Sequence, residues 1–125
     1  MAHNAVTLVH FSRNPFLLVT SCLDKRREGK RRSGIYEIQF GEEKRNVFCD
    51  MNTLGGGWTV IQRRGDFGND ENYFSRNQSE YKNGFGEPKK EFWIGLEALH
   101  LLTNTYAMDV IHNSLIIYFS LKISL

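Results

Sequence analysis

The chain has 125 residues, a formal net charge of +2, 41% hydrophobic and 13% aromatic residues, and two cysteines. That length accommodates one ordinary domain and excludes two, and the aromatic content favours a packed core over disorder. The net charge of +2 alone argues for no class of partner. No apolar run reaches the roughly 18 residues a membrane span needs, and the longest candidate, Leu115–Leu121, is too short.

Residues 1–21 carry no clear period. Their apolar pieces, Ala5–Val9 and Phe16–Val19, are split by Arg13-Asn14-Pro15, which makes a poor signal peptide. Ser21 is placed to N-cap a short helix over Leu23–Glu28, with its hydroxyl accepting a first-turn amide, and Gly29 ends that helix. Charge concentrates here: residues 1–32 hold seven Lys/Arg against two acids, residues 33–125 nine against twelve. The run Lys25, Arg26, Arg27, Lys30, Arg31 and Arg32 reads as a solvated helix end and loop, ahead of a heparin or nucleic-acid patch or a basic cleavage site.

Gly34–Phe40 alternates apolar positions and predicts a strand; Gly41–Arg45 is a charged turn, and Asn46–Asp50 and Gly57–Arg63 are two further strands. The triplet Gly55-Gly56-Gly57 joins them as a tight turn. Short strands with tight turns pair antiparallel. Gly65–Ser75 is a polar loop, Asn77–Asn83 a short helix stopped by Gly84, and Phe92–Gly95 a buried strand. Leu96, Leu99 and Leu102 fall at helical spacing within Leu96–Thr103, and Tyr106–Ile111 is a further strand. The apolar, β-prone stretch Leu115–Leu125 is expected either to add an edge strand or to aggregate as an unpaired one. Trp58, Phe92 and Trp93 are assigned to the core rather than to stacking on sugar rings.

No catalytic constellation is visible. His3, His10, His100 and His112 lie in unrelated contexts, and Asp66-Phe67-Gly68 lacks the phosphate loop and lysine of a kinase. Asp66, Asn69, Asp70 and Glu71 lack the ligand spacing of a helix-loop-helix calcium site and read as a solvated loop. Cys22 and Cys49 are not in a C-x-x-C pair and have no clustered His, which argues against zinc. They form one bridge in an oxidising compartment or stay free in a reducing one. Arg64-Gly65-Asp66 spells an integrin-recognition tripeptide just after a strand, a motif short enough to arise by chance. Asn77-Gln78-Ser79 is a glycosylation acceptor in the secretory pathway, or else Asn77 is a helix N-cap.

The block from Cys49 to Arg64, with its three glycines before Trp58-Thr59-Val60-Ile61-Gln62, resembles the signature of the fibrinogen-like domain family. Flanking motifs follow in family order: Cys22 to Gly29, Ser33-Gly34-Ile35-Tyr36, Glu80 to Gly86, Glu91 to Leu96, and Leu99 to Thr103. The family usually has Trp where this chain has Gln78.

The resemblance implies an α+β fold, a small antiparallel sheet with short helices, as the N-terminal part of a fibrinogen-like domain. It implies a Cys22–Cys49 disulfide, tying the first helix to the second strand. It divides the chain into a poorly specified segment 1–21, a partial domain 22–111 and a divergent tail 112–125. The implied function is non-enzymatic and extracellular: recognition of acetylated sugars in the lectin branch, or alternatively of matrix and receptor proteins or full-length relatives, as a possible oligomer. Nucleic acid and a membrane span are not expected. No metal or other cofactor is expected either, because the family's calcium and ligand sites lie in sequence beyond the matched motifs.

Overall fold

The computed structural model describes residues 19–105, 109–112 and 116–120. Most of segment 1–21, Tyr106–Met108 of the predicted strand, and parts of the tail lie outside them. Helix α1 is Cys22–Arg27; strands β1 and β2 are Gly34–Phe40 and Glu43–Asp50; a one-turn 3-10 helix, Thr53–Gly55, precedes β3, Trp58–Arg63. Helix α2 is Gln78–Asn83, β4 is Phe85–Gly86 and β5 is Phe92–Trp93; α3 is Leu96–Thr105, followed by β6, Asp109–His112, and β7, Ile116–Ser120.

All pairings in the sheet are antiparallel. β1 and β2 form a hairpin in continuous register from Gly34 opposite Cys49 to Phe40 opposite Glu43. β3 is the centre. The start of one of its edges pairs with β2 and the end of that edge with β5, while β7 runs along the other edge from Trp58 opposite Ser120 to Arg63 opposite Ile116. A strand has only two edges, so β2 and β5 must share one of them. β6 pairs with the far side of β7, which makes β7 an interior strand. The edge-strand expectation for the tail is therefore corrected: a second strand, β6, covers the side that would have been left open.

The sequence pattern accounts for the sheet. Ile38 and Phe40 alternate into the core on β1, as do Val47 and Cys49 on β2. On β3 five of six residues are buried, as fits a strand covered on both faces. Val60, Ile61, Phe92, Ile94, Ala98 and Leu102 carry the core from the sheet into α3. Trp58 is fully buried and its indole N–H donates to the Thr53 carbonyl at 2.6 Å. Phe92 is buried, but Trp93 is only half-buried, with its N–H on the Tyr81 carbonyl at 2.8 Å. Ahead of α1, Val19 is fully buried and bridges Phe40, and Thr20 exchanges hydrogen bonds with Gln39.

Ser21 holds the N-cap position in a reciprocal capping box: its side chain faces the Asp24 N–H, and the Asp24 carboxylate accepts the Ser21 N–H at 2.8 Å and its hydroxyl at 3.4 Å. Cys22 and Cys49 are bridged, with Cα atoms 5.4 Å apart and both residues fully buried. The bridge fastens α1 to β2 at the point where β2 meets β3. The glycine triplet is required here: Gly56 has φ +78°, and a Cβ on it would lie 2.3 Å from the Met51 carbonyl oxygen.

Candidate functional site

β3 ends by delivering two arginines in succession. Arg63 is buried, its guanidinium over the Phe48 ring at 4.8 Å and hydrogen-bonded to the Pro88 carbonyl. Arg64 is exposed and lies over the Phe74 ring at 4.2 Å. The backbone then leaves the sheet as the loop Gly65–Ser75. Glu91, buried beside β5, reaches both arms of its first turn: its carboxylate accepts the Gly65 N–H at 3.5 Å and the Asn69 side-chain amide at 3.4 Å.

The end of the loop is fixed by a platform of aromatic rings. Tyr73, Phe74 and Tyr81 each meet Phe85 edge-on, with centroids 5.2–6.0 Å apart. Such pairs add to simple burial because ring edge and ring face carry opposite partial charge. Arg76 lies over Tyr73 at 4.4 Å and Phe85 at 4.5 Å, and donates to the Tyr73 carbonyl at 2.6 Å and to Glu80 at 2.8 Å. The Arg76 guanidinium, and after it the Asn77 N–H, hold the Glu80 carboxyl below its ordinary pKa. Asn77 and Glu80 form a reciprocal capping box at the start of α2. Between loop and helix lies an open depression of about 360 Å³, lined by Asp70, Asn72, Tyr73, Ser75, Arg76 and Glu80. The arrangement offers charge, amide and aromatic edge to a partner surface. Among the described residues it brings no nucleophile to a base.

The predicted site residues scatter across this frame. Arg64, Gly65 and Asp66 sit together at the start of the loop, with Arg64 and Asp66 exposed. Asn77 is the exposed N-cap of α2, and its side-chain oxygen accepts the Glu80 N–H at 2.9 Å. That leaves the amide nitrogen, the atom a glycan would use, out of the cap. Gln78 is exposed and, with Ser79, Lys82 and the exposed Leu96, lines a surface depression of about 450 Å³. In the acidic loop the Asp70 carboxylate folds back and accepts the Asn72 N–H at 2.9 Å. No group of three or more His, Cys, Asp or Glu among the described residues is arranged to hold a metal. No helix among them is long and apolar enough to cross a membrane.

Glu91, Phe74 and Arg76 were not singled out from the sequence. Glu91 lies 26 residues from Gly65, and no periodicity links the two.

The family model described as fibrinogen beta and gamma chains, C-terminal globular domain, matches residues 18–114. Techylectin-5A of Tachypleus tridentatus is 47% identical over 89 residues, covering 68% of this chain and 30% of the relative. Angiopoietin-4 of Bos taurus is 46% identical over 97 residues, covering 74% of this chain and 19% of the relative. The fibrinogen-like globe domain of human ANGPTL6 superposes with a TM-score of 0.64 at 32% identity, over 78% of this chain and 50% of that one. The chain belongs to the fibrinogen-like domain family, as an N-terminal portion of the domain, and the family is non-enzymatic. It spans less than a third of the length of these two relatives and about half of the solved globe domain.

Proposed function

We propose that the protein is an extracellular recognition module of the lectin type, directed at acetylated glycans. In this account the described residues supply the bridged sheet, and the calcium and sugar contacts fall in family sequence beyond the matched segment. The observation that carries the proposal is the match to Techylectin-5A, which runs through 68% of the chain. Secretion supplies the oxidising compartment that the Cys22–Cys49 bridge needs, and there Asn77 takes a glycan on its amide nitrogen.

Two measurements test this. The 125-residue protein should pass through an acetylated-sugar resin in calcium buffer without chelator-sensitive retention. Retention released by chelator would place the sugar site within these residues and overturn the division of labour. Residues 19–105, exchanged for the equivalent portion of a complete fibrinogen-like lectin, should leave that lectin's sugar retention intact. Loss of retention by a folded chimera would contradict the lectin assignment.

A second reading, a module for protein receptors, matrix or full-length relatives, is favoured by the angiopoietin match. Under it the exposed loop after β3 and the outer side of β6 are the surfaces that meet the partner, and the equivalent chimera loses sugar retention.

A further inference from the structure

We propose that Arg64-Gly65-Asp66 is a displayed adhesion site for an integrin-type receptor, one whose bound divalent cation takes the Asp66 carboxylate and whose acidic pocket takes Arg64. This goes beyond the glycan reading and does not depend on it. The tripeptide alone is weak evidence, because three residues recur by chance. The structure adds how it is held. The tripeptide begins where β3 stops pairing, so a rigid central strand fixes its position. Glu91 grips the turn at Gly65 and again at Asn69, which closes it into a short loop beyond the end of the strand.

Within that loop the side chains divide by role. The Phe67 ring packs against the bare face of Gly65, where a Cβ would sit 2.9 Å from a ring carbon. Glycine at this position therefore lets the ring close over the backbone. Asp66 is exposed, and it makes no hydrogen bond or ion pair with any described residue. Its carboxylate can enter a metal's coordination sphere without first breaking a bond. Arg64 is also exposed, but rests on the Phe74 ring at 4.2 Å. An exposed cation–π contact is weak, so lifting the guanidinium into a receptor pocket lowers affinity by only about two- to five-fold. Phe67, the next residue in the chain and 40% exposed, adds an apolar surface to the same loop.

The test is adhesion of cells bearing Arg-Gly-Asp-binding integrins to the immobilised 125-residue protein in manganese buffer. Adhesion should exceed that on albumin, fall to background with chelator, and be competed by a soluble Gly-Arg-Gly-Asp-Ser peptide. Asp66→Glu keeps the charge but displaces the carboxylate by one methylene, and should reduce adhesion at least about tenfold, the scale of losing a charged contact at an interface. Glu42→Asp, in the exposed turn between β1 and β2, should adhere like the parent. Both substitutions are at exposed positions, and unchanged circular dichroism and melting temperature confirm that the variants fold. Parent protein that supports no adhesion, or Asp66→Glu that adheres as well as the parent, overturns the site. Either result leaves the sugar-binding proposal standing, since that is decided by the chimera.

Discussion

Cys22→Ala/Cys49→Ala should lose about 3.5 kcal/mol of folding stability, measured by urea denaturation against the oxidised parent. The bridge closes a sequence separation of 27 residues, and that loop length sets the figure in the chain-entropy account. Both cysteines are fully buried, so the variant also gives up packed sulfur at the junction of α1 and β2. An ordinary domain has only about 5–15 kcal/mol in total, so this loss brings the variant close to unfolding at physiological temperature. Reductant added to the parent should reproduce the same midpoint shift. A shift below about 1 kcal/mol would mean that the α1–β2 junction is held by packing alone and that the bridge is incidental.

Trp58→Ala should cost about 3–5 kcal/mol in the same measurement, the range for deleting a fully buried large aromatic. The indole both fills space and caps the 3-10 turn through its N–H to the Thr53 carbonyl. Trp58→Phe separates the two contributions. It keeps most of the apolar contact but leaves the Thr53 carbonyl without its donor, and should cost about 1–3 kcal/mol. If Phe matches Trp, the indole N–H contributes nothing net and the turn is held by its glycines.

The sheet was legible because its signals are local. Alternation marks β1 and β2, and three glycines before an aromatic and β-branched run mark the entry to β3. Observed bounds move little: the first helix is Cys22–Arg27 against a predicted Leu23–Glu28, and β2 begins at Glu43 rather than Asn46. The loop surface was not legible, because contacts between residues far apart in sequence create it. Arg45 donates to the carbonyls of Asn83 and Ile94, 38 and 49 residues away, and so ties β2 to the far end of the sheet. Arg76 belongs to no sequence motif, yet it lies over two rings and pairs with Glu80. Trp93 has the composition of a core residue, but β5 is two residues long and pairs with the equally short β4, which leaves the indole half-covered. For the tail, apolar β-prone composition announced a strand but did not show that β6 would cover it.

These contacts connect fold to recognition. β3 is fixed on both edges, and the buried Arg63 anchors its exit over Phe48. The loop that follows is presented from a rigid base, so its exposed charges meet a partner with little ordering left to do.

Hydrogen exchange across Trp58–Arg63 in the oxidised protein tests the central claim, that β3 is the doubly paired centre of the sheet, beside the strand that the Cys22–Cys49 bridge fastens. The amides of this segment should be the slowest in the protein, opening only with global unfolding, while Asp66–Glu71 exchanges freely. Exchange of Trp58–Arg63 at the rate of that loop would contradict the account.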